Sequence, residues 1–169
     1  MRNSLFALLL LFAGCATKPA APAPNTATAQ RTWAFPADAL IRQRAVLTAR
    51  GRQFPLNGVL ARSGHGGLRL LVTENFGQVL ADVLVKPDGT VTVMRSSRML
   101  KESWVKRYVA ADLQGIFGSG PLKDCPVTMI DPSHFTIARR WYRLDLSVVE
   151  IKPGPQSPRL FDASAAQGP

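Results

Sequence analysis

The sequence predicts an α+β fold: a half-open antiparallel β-barrel, that is, a curled sheet with a helix covering its concave apolar face. Three observations predict it. Apolar segments with a two-residue period recur between turn signals from Ile41 to Val93. The period then turns helical between Trp104 and Ile116. Beyond that helix the strand-like pattern returns, from Val127 to Ile151. Consecutive strands joined by short turns pair antiparallel, and a helix laid on the sheet buries its apolar face. A half-open barrel of this kind leaves an apolar cavity between sheet and helix.

The elements follow in order. Ile41, Gln43, Ala45 and Leu47 alternate with Arg42, Arg44, Thr48 and Arg50, and Gly51 ends the run. This segment reads either as a strand or as the end of a short helix begun near Pro36. Phe54, Leu56, Gly58 and Leu60 share one face of the next strand. Ser63 to Gly67 is a flexible turn. Leu68, Leu70 and Val72 then face one way, and Glu74-Asn75-Phe76-Gly77 turns the chain. Val79, Ala81, Val83 and Val85 make a further apolar face. Pro87-Asp88-Gly89 is a strong turn signal, and Val91 and Val93 open a fifth strand.

Trp104, Val105, Tyr108, Val109, Leu113 and Ile116 then keep helical spacing, with Lys106, Arg107 and Asp112 off the stripe. Gly118 and Gly120-Pro121 end the helix. Val127–Ile130, Phe135–Ala138 and Leu144–Ile151 read as three more strands. The order is therefore five strands, one helix, three strands. Phe54, Leu56, Leu60, Leu70, Val72, Val83 and Val85 are expected to line the cavity, beneath a helix carrying Trp104 and Tyr108.

Ahead of this domain, assigned to residues 31–162, lies a different kind of sequence. Arg2 is followed by an apolar run from Leu5 to Phe12, and Ala13-Gly14 lead into Cys15. The layout is that of a secretory signal over residues 1–14, and the run is too short to span a bilayer. Phe12-Ala13-Gly14-Cys15 resembles the lipobox of bacterial lipoproteins, with Phe12 in place of the usual Leu. The resemblance implies cleavage before Cys15 and a diacylglycerol on its thiol. An ordinary secreted protein with an incidental cysteine is the alternative. Residues 15–30 hold no aromatic and no aliphatic side chain larger than Ala, so they bury no core and read as a tether. At PPII spacing such a tether spans roughly 40–50 Å. Ala16 follows the cysteine where Asp commonly retains lipoproteins in the inner membrane, which by that analogy points to the outer membrane, with the domain facing the periplasm. Residues 163–169 are expected to be a disordered tail.

A formal charge of +10 often accompanies nucleic-acid binding. An exported chain meets anionic lipid or an acidic partner instead, so no nucleic-acid partner is expected. An Arg-, Ala- and Gly-rich composition by itself accounts for the charge equally well. With Cys15 acylated, Cys125 has no partner in the chain, and it is either buried, paired between chains or reactive. One Cys and two distant His residues, His65 and His134, build no metal site, and no cofactor is expected. No Gly-x-Ser-x-Gly elbow occurs, and Ser63-Gly64-His65 has no orienting acid, so no catalytic residue is assigned. Glu74 and Asp82 read as surface carboxylates. Phe76, at a turn tip, is either a staple under a neighbouring loop or an apolar residue presented to a membrane. Trp33 and Phe35 are expected to pack on the barrel.

Leu68-Arg69-Leu70-Leu71-Val72-Thr73-Glu74-Asn75-Phe76-Gly77, the Pro87-Asp88-Gly89-Thr90-Val91 turn and the helix ending in Ile116-Phe117-Gly118 resemble the LolA/LolB superfamily in order and spacing. The resemblance spans Gln43 to Gly118 and lies on the LolB-like side. Tyr108-Val109-Ala110-Ala111-Asp112-Leu113-Gln114 resembles a LolB-like group associated with aryl-polyene-type lipid clusters. It implies an outer-membrane lipoprotein that receives acyl or lipoprotein cargo in an apolar cavity, with Phe76 as a membrane-insertion residue. A periplasmic LolA-like carrier is an expected partner, and a monomer the expected state. The alternative is a non-catalytic assembly lipoprotein that uses the same scaffold to hold a protein partner.

Overall fold

Eight strands form one antiparallel sheet in a computed structural model that describes residues 33–119 and 126–164. Residues 1–14, the expected tether with Cys15, Cys125 and Gly120-Pro121 lie outside these residues. So does the tail beyond Ser164. The strands are β1 (Ala39–Ala49), β2 (Arg52–Arg62), β3 (Leu68–Glu74), β4 (Val79–Val85), β5 (Val91–Ser96), β6 (Val127–Asp131), β7 (His134–Ala138) and β8 (Tyr142–Pro153). Between β5 and β6 runs one continuous helical stretch. It consists of α1 (Glu102–Trp104), a π-helical turn (Val105–Val109) and α2 (Ala110–Phe117). A short 3-10 turn, Pro158–Phe161, follows β8.

The sheet order is β5-β4-β3-β2-β1-β8-β7-β6. The sheet is curled but not closed, so β5 and β6 are its edges and the helical stretch connects one edge to the other. The segment with two readings, residues 41–50, is a strand and the centre of the sheet. β1 pairs along its whole length with β2 on one side and β8 on the other. Arg50 and Gly51 join β1 to β2 with positive φ at both residues, as a two-residue I′-type hairpin requires.

Register carries the alternation of each strand into rows across the sheet. One row runs Ile41, Leu60, Leu70, Val83, Val93. The core contains this face together with Val105, Ala110, Leu113, Ile116 and Phe117 of the helical stretch. Each such side chain contributes roughly 1.5–3 kcal/mol by leaving water. The chain ahead of β1 joins in: Trp33 stacks on Phe135 at 5.3 Å and Phe35 on Phe117 at 4.8 Å. Every residue of this core lies between Trp33 and Val148, so a chain begun at Ala16 retains all of it.

Two strand-level expectations change. A register shift between Val72 and Thr73 pairs Val79 with Thr73, so Val79 leaves the apolar row and only Ala81, Val83 and Val85 join the core. Leu80 and Leu84, alternating with them, are also buried. On that second side Arg69 bonds Asp82 through two nitrogens and donates to the Leu160 carbonyl, while the Phe161 ring lies against Gly67. The chain after β8 thus straps across β3. Asp82 is one half of this ion pair and not a partner of Glu74.

Leu60 has no accessible surface. Leu60→Ala is expected to cost roughly 2–5 kcal/mol. Val59→Ala, on the other face, should cost less than about 1 kcal/mol. Urea-denaturation midpoints of the two variants measure the difference.

Candidate functional site

The residues expected around a cavity separate into two groups. Leu60, Leu70, Val83 and Val85 sit in the packed core, and Leu60 and Val83 have no accessible surface at all. A side chain without accessible surface borders no space that admits a water molecule, so the interior is filled at these positions. Val72, Trp104 and Tyr108 are half-buried beside them. Phe54 and Leu56 continue the same face beyond the core, and Phe54 is 43% exposed. The helical stretch contacts chiefly β3, β4, β5 and β6, and β1 and β2 less.

Register shows what that uncovered face contains. Phe54, Leu47 and Leu144 form one row, Leu56, Ala45 and Leu146 the next. Gly58, Gln43 and Val148 form a third, with Val72 beyond Gly58. Most of these side chains are only partly buried, so the apolar surface continues past the packed core as an open trough. Gln43 at its inner end is buried. Its side chain lies over Gly58, where an added Cβ would fall 2.6 Å from Nε2, so glycine leaves the room this amide occupies. Gln43 Oε1 has no hydrogen-bond partner. A buried acceptor left unpaired is costly.

Two polar clasps fix the helical stretch and the incoming chain. Asp112, read from its spacing as lying off the apolar stripe, is buried. It accepts from Arg139 Nε at 2.9 Å and from the Tyr142 hydroxyl. Periodicity misses this because burial of a carboxylate depends on a partner 27 residues away on another turn. Trp104, Tyr108 and Tyr142 pack ring to ring above the clasp, and Arg139 lies over the Tyr108 ring. At the other end, buried Arg62 donates to the Pro36 carbonyl at 3.0 Å, to the Phe35 carbonyl and to Ser119 Oγ. It joins β2 to the chain before β1 and to the residues after α2. Burial lowers the pKa of Arg62, although Asp38 nearby acts the other way.

Phe76 is 94% exposed at the tip of the β3–β4 hairpin, where Gly77 takes positive φ and donates to the Glu74 carbonyl. It packs under no loop, so the staple reading does not describe it. Trp33 and Phe35 do pack on the sheet, as expected.

His65 is exposed in the β2–β3 loop. His134 Nδ1 lies 2.6 Å from Asp131 Oδ2 and 3.1 Å from Ser133 Oγ. A serine relay uses one ring nitrogen for the acid and the other for the hydroxyl. Here both meet Nδ1, which is the geometry of a hydrogen-bonded turn. No group of three metal-binding side chains occurs among the described residues. On the face opposite the core, Arg44, Val46, Pro55, Asn57, Asp145 and Ser147 surround an open depression of about 540 Å³. No helix among the described residues is long and apolar enough to cross a membrane. No family model matches the chain, and no curated protein matches it significantly.

Burial, then the Asp112 carboxylate, push the Tyr142 phenol far above its ordinary value near 10. Its raised folded pKa means that its contribution is complete below the unfolded value and is lost as pH climbs above about 10, where only the unfolded chain ionises readily. Tyr142→Phe should therefore be less stable than wild type at pH 8 and lose less stability between pH 9 and 11. Denaturant midpoints across that range measure this.

Proposed function

We propose that the chain is an outer-membrane-anchored lipoprotein whose domain receives an acyl or lipid moiety along the apolar trough of its sheet. In this reading the helical stretch covers the concave apolar face, and the cargo chain lies where that cover ends. One observation supports it above the others: the apolar face extends past the packed core through Leu47, Phe54, Leu56 and Leu144, which remain partly exposed. A folded chain ordinarily keeps such surface in single positions, and a contiguous stretch marks a binding surface. Phe76, fully presented at a hairpin tip, is suited to entering an apolar layer during transfer, a step worth roughly 1.5–3 kcal/mol for a Phe side chain. The anchor is the lipid on Cys15.

The filled interior at Leu60 and Val83 favours a second reading, a non-catalytic assembly lipoprotein that holds a protein partner on the same surface. The two differ in what the trough accepts. A fluorescent long-chain fatty acid should bind the chain begun at Ala16. Leu56→Trp should weaken that binding about tenfold or more, because a large ring obstructs the trough at a position outside the packed core. Unchanged binding in Leu56→Trp, or none in wild type, would favour the second reading.

The anchor has its own test. Cys15→Ser should leave the protein either uncleaved or released into the periplasm. A Cys15→Ser protein that is processed and still sediments with outer membranes would remove the lipoprotein reading.

A further inference from the structure

The most exposed large apolar side chains of the sheet's turns collect at one end of the molecule. Phe76 caps β3–β4, Trp141 at 64% exposed caps β7–β8, and Met99 at 71% follows β5. Register places the three together. Ala49 pairs with both Arg52 and Tyr142, Leu56 pairs with Glu74, and Ser96 pairs with Ala81, so the β1–β2, β3–β4 and β7–β8 turns and the exit of β5 all point the same way. Of the turns pointing the other way, 63–67 and 86–90 hold no large exposed apolar side chain, and Ile130, 67% exposed, stands beside the β6–β7 turn.

Cations ring this end. Arg50 and Arg52 flank the β1–β2 turn, Arg98 and Lys101 flank Met99, and Arg140 lies 4.8 Å over the Trp141 ring. All five are exposed, and none has a carboxylate within salt-bridge distance among the described residues. Elsewhere in the domain Arg42, Arg69, Lys106, Arg139, Arg143 and Lys152 each meet a carboxylate, whereas exposed Arg44, Lys86, Arg95, Arg107 and Arg159 do not. Arg50 is the sharpest case. It is the one non-glycine residue with positive φ among those described, a conformation that favours Gly or Asn. The turn holds a cation at its tip in a backbone conformation that costs stability.

We propose that this end is a docking surface for anionic lipid headgroups, with Trp141 and Met99 seated at the interface and the five cations over the phosphates. The proposal rests on the lipid-receiving reading for its purpose but not for its evidence. Separate apolar tips standing on different turns, with no groove between them, suit a soft planar layer. Tryptophan suits the headgroup depth because its ring is apolar and its N–H is polar. A patch of Lys and Arg beside apolar tips discriminates charged from neutral bilayers, since each cation adds attraction to an anionic surface that salt screens. The orientation also turns the open trough, whose outer row is Phe54, Leu47 and Leu144, toward the membrane.

The test uses the chain begun at Ala16, which lacks the anchor. It should sediment with vesicles of phosphatidylcholine mixed with phosphatidylglycerol and much less with phosphatidylcholine alone, and added salt should weaken the binding. Replacing Arg98, Lys101 and Arg140 by Ser should weaken binding to the mixed vesicles about tenfold or more, whereas Arg42→Ser and Lys86→Ser should not. Arg50→Asn should raise Tm while lowering binding, an opposition that damage to the fold does not produce. Brominated lipid should quench wild-type fluorescence, with most of the quenching gone in Trp141→Phe. Equal binding to neutral and anionic vesicles would overturn the proposal, as would a triple variant that binds like wild type. Equal retention on polyglutamate and on mixed vesicles, without quenching, would assign the surface to an acidic protein and overturn it as well. Loss of fatty-acid binding with vesicle binding intact would count against the trough and leave this surface standing.

Discussion

An unclosed antiparallel sheet has one apolar face and two free edges, and neither is stable in water alone. Here the face spans eight strands, and a helical stretch of 16 residues joins its two edges. The helix residues Val105, Leu113, Ile116 and Phe117 bury into the same core as Ile41, Leu60 and Val83. Hydrophobic contact alone does not fix the position of a helix on a sheet, because it has little direction. The buried Asp112 supplies direction. With Arg139 and the Tyr142 hydroxyl on it, sliding α2 would strand a carboxylate and a guanidinium away from water, which costs several kcal/mol. The clasp therefore sets which part of the apolar face is packed and which part stays open.

That division organises everything proposed about function. The packed part gives stability; the rows around Phe54, Leu56 and Leu47 remain partly exposed among the described residues. They lie at the end of the sheet where the hairpin tips stand, beside Phe76, Trp141 and a ring of cations. The partly exposed apolar rows and the basic rim thus share one end. The opposite face is built differently. Arg69 and Asp82 neutralise each other there, and the residues after β8 lie across β3, so that face is partly closed by the chain itself.

The strained Arg50 and the unpaired Gln43 Oε1 are small departures from a stability-driven sequence. Local choices elsewhere agree with the fold, from the Gly77 turn to the Glu102–Lys106 pair on the first helical turns. Departures of this kind gather at working surfaces in proteins, because function places demands that packing does not. Arg50 stands at the end of the molecule that holds the trough, and Gln43 lies near the middle of β1.

By itself the sequence determined the order of elements, five strands, a helix and three strands, and, Val79 aside, which residues of β1 to β4 face the core. It did so because a strand's period of two and a helix's period of 3.6 are local properties that need no knowledge of partners. Gln43, Leu56 and Leu70 fall on the core side for that reason alone. Tertiary structure decided the rest. The reading of residues 41–50 as strand depended on β2 and β8 pairing with it from both sides. Val79 left its row through a register shift that involves the neighbouring strand. Asp112 was buried by residues far along the chain, and Phe54 was left exposed. Only strand pairing turns Phe76, Met99, Trp141 and the five cations toward one end, which no local pattern records.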